Sequence, residues 1–398
     1  MEKSGYSQRD LIKFNFASLD LNSLDFFGNS PPAVFVGRFG YPKVNVGVLS
    51  PIRKEKKSYL MDNPSEWVKQ GLKDYEILKL RAQLVNARFQ SSVKNFDNRL
   101  TDLSQEVGMA HKPVDMEVFL KSKPKDLLKM ENVAKPLSNN ANVKNIKLTE
   151  NPKIKTSVDK VVSDGDMKSV EGLYKLYKKG MDENFLSKIL SIGLLGKSKN
   201  RRLVPTRWSI TATDDALGKE LLKEIRFYQE TDYQIYFSGY LGNYYMIMFF
   251  PDIWGFELFE MEVPLRPSPW SKTGKYYGTD YEDYFGKKEY SEECAGGYYA
   301  ARLSILEKLN DLRRQGAVLV FRFITREDKY PLGVWVCREA SRMSLRNNVP
   351  LDFDSKESLM NYVKAKIMKD FKVDVNDLFG VSKLMHRKSK QKRLASYI

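Results

Sequence analysis

Short β-type runs and helix-period segments follow one another along this chain without a regular strand–helix–strand rhythm. Runs rich in Val, Ile, Tyr and Phe occur at 33–36, 44–48, 233–237, 244–250 and 317–324. Apolar residues three and four positions apart predict helices in much of the remaining sequence. Consecutive β-type runs with short connections favour antiparallel hairpins. The order therefore predicts an α+β fold of mixed helices and antiparallel hairpins.

Two hairpins and one exposed excursion are predicted. The runs 33–36 and 44–48 flank a loop rich in Gly and Pro, and the runs 233–237 and 244–250 also follow each other closely. Both arrangements are typical of β-hairpins. Residues 121–160 are rich in Lys and Asn and contain few aromatic residues. This composition predicts an exposed or weakly structured excursion.

The second half of the chain contains further predicted elements. Residues 201–215 are interpreted as an extended segment that leads into a helix, and residues 332–337 as a strand. Residues 272–293, rich in Tyr, Gly and charge, are interpreted as a domain boundary or a long loop. Their tyrosines fit either a stacking surface or a buried domain seam equally well.

Composition bounds the class of protein. Hydrophobic residues make up 42% of the 398 residues and aromatic residues 12%, which excludes general disorder. No apolar run approaches the roughly 20 residues of a spanning helix, and the first residues lack the apolar stretch of a secretory signal. The 66 Lys and Arg residues exceed the 50 Asp and Glu residues, giving a net charge of +16. This excess favours a polyanionic partner, although anionic membranes and simple solubility would explain it too.

Cysteine and histidine are scarce. Cys294 and Cys337 lie far apart, and His111 and His386 are the only histidines. Two cysteines this far apart, outside any Cys-x-x-Cys spacing, exclude a structural zinc site and a disulfide framework. We therefore predict no cofactor and a reducing, cytoplasmic location.

The end of the chain carries a spaced apolar motif. Gln391, Leu394, Tyr397 and Ile398 fit the pattern Gln-x-x-aliphatic-x-x-aromatic-bulky, which resembles the peptide that binds the sliding clamp, PCNA. One tight helical turn brings positions three or four apart to the same side, so the three apolar residues can form a plug. An amphipathic turn packed on its own domain, or chance spacing in a frayed tail, remains an alternative. Ile398 stands where a second aromatic residue is common.

A basic and aromatic cluster precedes the helix predicted after residue 215. Arginine side chains can hold phosphates while a tryptophan stacks on an exposed base. Two residues of the first hairpin loop extend the candidate surface, because glycines there allow the backbone to approach a phosphate. The alternative is a buried tryptophan and arginines paired with nearby acids. The candidate nucleic-acid-binding residues are Arg38, Lys43, Arg201, Arg202, Arg207 and Trp208.

Asp214 and Asp215 form the candidate catalytic pair. Adjacent carboxylates, together with Glu257, Glu260 or Glu262, can hold Mg²⁺ for phosphodiester cleavage. A carboxylate at the N-terminus of a helix also stabilises that helix without any metal. A metal-dependent nuclease and a helix cap are both open interpretations of this pair.

Several long strings resemble the NreA family of archaeal DNA-repair proteins. They are Gly28–Pro32 with Phe35–Arg38, Ser163–Asp166, Arg201–Asp215 and Gly296–Arg302. The resemblance spans nearly the whole chain, and it implies a role in DNA-damage repair beside excision-repair proteins, with the clamp as partner. Members of the family often begin with a cysteine-bearing zinc element, and no cysteine precedes Cys294 here.

The combined interpretation is a DNA-repair factor that binds DNA and is recruited to PCNA by its C-terminal peptide. The resemblance implies a large N-terminal domain over residues 1–275 and a smaller C-terminal domain over residues 276–380. Residues 381–398 are expected to form a flexible basic tail with the clamp motif. A nuclease that uses Mg²⁺ at Asp214 and Asp215 and a basic RNA-binding or scaffold protein are the alternatives.

Overall fold

A computed structural model describes residues 23–94, 98–124, 128–137, 139–269, 271, 274–346 and 349–390. Helices and mixed sheets in this part of the chain confirm the predicted α+β class. The chain divides into two compact units. We call residues 23–217 with 330–335 the barrel unit and residues 218–329 with 336–390 the sheet unit. Within the described ranges, no helix combines the length and apolar character needed to cross a bilayer.

The barrel unit begins with strands, continues with alternating helices and strands, and ends in helices. Asn63 caps the first helix by accepting a hydrogen bond from the Glu66 amide, and Pro64 occupies its first turn. The elements in chain order are β1 (Asp25–Ser30), β2 (Ala33–Val36), β3 (Lys43–Pro51), α1 (Pro64–Lys69), α2 (Asp74–Ala82), β4 (Leu84–Ser92), α3 (Arg99–Met109), β5 (Val114–Leu120), β6 (Asn140–Leu148), α4 (Thr156–Ser163), α5 (Ser169–Lys178), α6 (Glu183–Ser191) and α7 (Thr206–Ile225).

The strands of this unit form a closed barrel. Their order is β1-β5-β6-β4-β3-β2, and all neighbours are antiparallel except β4 and β6. β1 and β2 stand at opposite ends of this order, yet only Pro31 and Pro32 separate them in the chain. They therefore continue as one bent strand, which pairs with β5 through β1 and with β3 through β2 and so closes the sheet. With β1 and β2 counted as one bent strand, the order is 1-2-3-5-4-1 with α3 between strands 3 and 4, which is the topology of the OB fold.

Period-two alternation builds the interior of the barrel. Val44, Val46 and Val48 of β3 are buried, as are the alternate residues of β5. Because successive side chains of a strand lie on opposite faces, the residues between them face outward. Gly28 permits β1 to approach β3 closely, since a Cβ there would lie 2.0 Å from the Pro51 carbonyl oxygen.

The sheet unit contains long central strands followed by helices. Its β8–β9 hairpin turns at Leu241 and Gly242, both with positive φ. The elements in chain order are β7 (Gln229–Glu230), β8 (Tyr233–Tyr240), β9 (Asn243–Phe250), β10 (Gly255–Val263), β11 (Tyr277–Glu282), α8 (Ala295–Leu312), β12 (Arg314–Gln315), β13 (Ala317–Thr325), α9 (Trp335–Arg346), β14 (Leu351–Phe353), α10 (Lys356–Phe371), α11 (Asn376–Val381) and α12 (Lys383–Lys390).

The main sheet of this unit is covered on both faces. Its strand order is β11-β10-β13-β9-β8-β14, with β10 and β13 parallel. Residues 246–250 of β9 are fully buried. One face packs on apolar residues of α10, α11 and α12. On the other face Phe256 contacts Tyr298 of α8, with ring centroids 5.0 Å apart. Burial on both faces explains the nearly continuous apolar sequence of β9.

Two buried ion pairs lie between this sheet and α8. Arg302 Nε donates to Glu282 Oε1 over 2.7 Å, and Arg322 Nη1 donates to Glu260 Oε1 over 2.5 Å. A Cβ at Gly297 would lie 2.7 Å from Glu260 Oε1, so a larger residue there would displace the carboxylate of the second pair. The string Gly296–Arg302 therefore has a structural role in packing.

The prediction of a weakly structured excursion at 121–160 is wrong in its second half. β6 lies there and occupies the barrel between β4 and β5. Val143 and Ile146 face the interior, whereas Asn142 and Lys144 are exposed. The Lys and Asn content that suggested an excursion belongs to the outer face of this strand.

Two further predictions are corrected. Only residues 201–205 are extended, because α7 begins at Thr206 and not after residue 215. Residues 332–337 are not a strand, since α9 begins at Trp335. Short apolar runs do not distinguish a buried strand from a buried helix. The interpretation of 272–293 as a long loop also needs correction, because β11 lies within it and pairs with β10.

Candidate nucleic-acid interface

The loop between β2 and β3 projects aromatic side chains into solvent. The Gly37 amide donates to the Asn45 carbonyl, and the Lys43 amide donates to the Gly40 carbonyl. Gly40 has a φ of +84°, a conformation that favours glycine. Phe39 is 77% exposed and Tyr41 is 51% exposed. These two backbone hydrogen bonds fix the loop, and Phe39 and Tyr41 therefore lie outside the core.

The first turn of α7 lies beside this loop. The Thr206 hydroxyl oxygen accepts a hydrogen bond of 2.9 Å from the Val36 amide at the end of β2. Trp208, 49% exposed, lies next to Tyr41 with ring centroids 6.0 Å apart. The exposure of Trp208 excludes the interpretation of a core tryptophan. The loop and the helix thus share one aromatic surface.

Cationic side chains flank these aromatic residues. The Arg38 guanidinium lies 5.1 Å from the centre of the Phe39 ring, and Lys43 is exposed at the start of β3. Arg207 lies 3.6 Å from Glu131, and both side chains are about one-third exposed. Such an exposed pair contributes little stability, so a phosphate can replace the carboxylate. We define the loop–helix surface as Arg38, Phe39, Tyr41, Lys43, Arg207 and Trp208.

Arg201 and Arg202 differ from the other candidates. The Arg201 guanidinium donates to the carbonyl oxygens of Gly196, Val162 and Asp164, so it ties neighbouring loops together. Burial lowers the pKa of Arg201, partly opposed by the charge of Asp164. Arg202 is exposed. The structure therefore gives Arg201 a structural role and leaves the side chain of Arg202 accessible.

Asp214 and Asp215 lie in the middle of α7. The interpretation of a helix cap is wrong, because the helix begins eight residues before Asp214. Asp214 is only 1% exposed, whereas Asp215 is partly exposed. Consecutive helix positions differ by about 100°, so the two carboxylates do not face a common point. Among the described residues, no group of three or more His, Cys, Asp or Glu side chains is arranged to hold a metal ion.

The three glutamates considered with this pair each have partners. Glu257 binds the N-terminus of α12, Glu260 pairs with Arg322, and Glu262 pairs with Arg266. The geometry of the described residues therefore offers no support for a nuclease centre at Asp214 and Asp215.

The clamp motif, Gln391, Leu394, Tyr397 and Ile398, lies outside the described residues. The helix before it is anchored. Glu257 of β10 accepts hydrogen bonds from the Ser382 hydroxyl over 2.5 Å and from the amides of Lys383 and Leu384. Burial raises the pKa of Glu257, and these hydrogen bonds oppose that shift. α12 is thus fixed to the sheet unit by residues 382–387, so this part of the segment 381–398, predicted as a flexible tail, is ordered.

The sequence predicts four of the six members of the loop–helix surface. Arg38, Lys43, Arg207 and Trp208 were predicted, whereas Phe39 and Tyr41 were not. The signal was present, because aromatic residues beside Gly40 in a hairpin loop have no core to enter.

The fold and this surface define a basic α+β protein in which an OB-type barrel carries exposed aromatic residues beside cations. Family models described as archaeal Nre, N-terminal, and archaeal Nre, C-terminal, match residues 10–271 and 282–397. The chain belongs to the archaeal Nre family.

Relatives in two archaea are similar over most of their length. DNA repair protein NreA of Archaeoglobus fulgidus is 38% identical over 342 residues, covering 85% of this chain and 84% of the relative. DNA repair protein NreA of Haloferax volcanii is 35% identical over 325 residues, covering 79% and 77%. DNA repair protein NreB of Archaeoglobus fulgidus is 33% identical over 342 residues, covering 85% and 84%. No solved structure gives a significant match.

Proposed function

We propose that this protein is a DNA-repair factor that binds DNA through the loop–helix surface and is recruited to the sliding clamp, PCNA, through Gln391–Ile398. The repair role is supported by the relatives, which are named as DNA repair proteins. A cytoplasmic location and excision-repair proteins as partners belong to the same proposal.

One observation carries the DNA-binding part of the proposal. Trp208, Tyr41 and Phe39 are exposed together, and Arg38, Lys43 and Arg207 flank them. Exposed aromatic side chains stack on unpaired bases, and adjacent cations hold the phosphates. Large aromatic residues grouped at a surface usually mark an interaction site. The net charge of +16 favours a polyanion at that site.

The clamp part of the proposal depends on the terminal motif. Its apolar positions are spaced for one face of a helical turn. The anchored α12 precedes it, so a clamp bound at the motif would be held close to the sheet unit.

The DNA contact is tested by replacing two cations of the loop–helix surface. We expect Lys43→Ala/Arg207→Ala to lower affinity for a labelled oligonucleotide roughly tenfold, because two charge-assisted phosphate contacts are lost. The slope of log affinity against log salt should fall by about two units, one for each contact. Fluorescence anisotropy over a salt series measures both quantities.

Lys356→Ala/Lys369→Ala on α10 is the charge-matched control, since it removes the same charge from the other unit. An equal change of slope in both variants would mean that net charge, and not this surface, determines binding. Failure of the unmodified protein to bind DNA would refute the proposal itself.

A further inference from the structure

The outer face of the barrel next to the loop–helix surface carries a row of polar side chains. In the register of β3 and β4, Lys43 faces Ser92 and Asn45 faces Gln90. Arg88, opposite Gly47, is also paired with Asn142 of β6. Directly paired residues lie on the same face of a sheet, so these side chains form one surface. We define the barrel strip as Lys43, Asn45, Arg88, Gln90, Ser92 and Asn142.

This strip is open to solvent, whereas the rest of the same face is covered. Gln90 and Asn142 are exposed, and Asn45 and Arg88 are half-buried. Beyond Gly47, residues of the same face such as Leu49 pack into an apolar cluster with Met61 and Leu137. On the outer face of β3 and β4, the apolar covered part therefore meets the polar exposed part at Gly47.

The strip continues directly into the loop–helix surface. The Asn45 carbonyl accepts the Gly37 amide over 2.7 Å, and the Pro42 carbonyl accepts the Val93 amide over 2.9 Å. Lys43 belongs to both surfaces. Residues two apart on a strand are separated by about 6.7 Å and neighbouring strands by about 4.8 Å. Aromatic side chains at one end and hydrogen-bonding side chains beyond them thus form one continuous path.

The charges on the strands of this path have one sign. The strands β3, β4 and β6 contain no Asp or Glu in their sequences KVNVGVLSP, LVNARFQSS and NANVKNIKL. Lys43, Arg88 and Lys144 lie on them, and the loop before β3 contributes Arg38. Strands that carry cations and no acids suit a phosphate backbone, and Glu131 lies only at the far end of the path, beside Arg207. Amide side chains supply donors and acceptors for base edges.

We propose that single-stranded DNA of about four nucleotides lies along the barrel strip, with its bases stacked at Phe39, Tyr41 and Trp208. This inference rests on the proposed DNA-binding function and specifies its substrate and path. Duplex DNA is disfavoured, because its bases are already stacked and cannot cover the aromatic faces. The same face and the loop between strands 1 and 2 bind oligonucleotides in other barrels of this topology.

The test replaces strip residues that lie outside the loop–helix surface. We expect Arg88→Ala/Gln90→Ala to weaken binding of a single-stranded 12-mer about tenfold. Binding of the matching duplex should change less than about twofold, because duplex contacts remain with the cations of the loop–helix surface. Lys175→Ala on α5 is the control, as it removes one exposed cation of the same unit.

Two outcomes would overturn the inference. One is unchanged single-strand affinity in Arg88→Ala/Gln90→Ala, and the other is an equal loss for both forms of DNA. Either result leaves the proposed function intact as long as the unmodified protein binds DNA. If this double variant melts at a lower temperature than the unmodified protein, its fold is weakened, and the single change Gln90→Glu is tested in its place. That change at an exposed position places a carboxylate on the strip and should weaken single-strand binding at least as much.

Discussion

Deletion of residues 391–398 should abolish binding of this protein to the sliding clamp. The double change Leu394→Ala/Tyr397→Ala should weaken binding at least about thirtyfold, since buried apolar anchors contribute about 2 kcal/mol each and are rarely additive. The fold should be unaffected, because α12 is anchored by residues 382–387, which the deletion leaves in place. Surface plasmon resonance on immobilised clamp measures the loss, and a thermal melt reports on the fold.

Ser396→Ala is the matched control for this motif. It lies between the spaced positions, so it should leave clamp affinity within about twofold. Equal affinity for the clamp in the deletion and the unmodified protein would refute recruitment through this peptide. The DNA-binding surface would remain to be judged by its own experiments.

Replacement of Glu282 by alanine should lower the free energy of unfolding of the sheet unit by about 3–5 kcal/mol. The Glu282 carboxylate is fully buried and accepts hydrogen bonds from Arg302 Nε, Trp254 Nε1 and the Lys287 amide. Its removal leaves the buried Arg302 guanidinium without its counter-charge. Urea unfolding followed by tryptophan fluorescence measures the change.

An exposed ion pair provides the control for this prediction. Lys366 and Asp370 pair at positions i and i+4 on α10, and both are partly exposed. Asp370→Ala should therefore cost no more than about 0.5 kcal/mol. Comparable losses in the two variants would show that burial of the Glu282 pair does not determine its contribution.

Local patterns predicted the hairpins correctly. β2 pairs with β3, and β8 pairs with β9, as the sequence indicated. Each pair is adjacent in the chain, so loop chemistry and strand propensity are enough to predict it. The helical spacing of Tyr298, Ala301, Ile305, Leu309 and Leu312 likewise predicts one buried face of α8. The first four are fully buried, whereas Leu312 at the end of the helix is 39% exposed.

Closure of the barrel was not predictable from local patterns. β6 pairs with both β5 and β4, and β1 pairs with β5 although three strands and three α-helices lie between them in the sequence. The Asn and Lys residues of β6 face solvent, and their number made the segment resemble an exposed loop. The buried residues between them were therefore not recognised as one face of a strand. Pairing between distant segments leaves no signal in either segment alone.

Only part of the loop–helix surface could be predicted, because its residues come together through contacts between distant segments. Arg207 and Trp208 follow each other in the chain, and their proximity to Lys43 depends on the contact of Thr206 with Val36. Arg201 has the same residue type as Arg207, yet its three carbonyl partners are visible only in the folded chain. Residue type therefore indicated the chemistry of the surface. Which residues belong to the surface depends on the fold.

Photo-crosslinking of a single-stranded oligonucleotide to the full chain tests the DNA-binding claim most directly, with the attached residues identified by mass spectrometry. We predict attachment at Phe39, Tyr41 or Trp208, and its loss when excess unlabelled single strand is added. Efficient crosslinks that map entirely to peptides outside residues 33–51, 84–92, 140–148 and 203–215 would contradict the account.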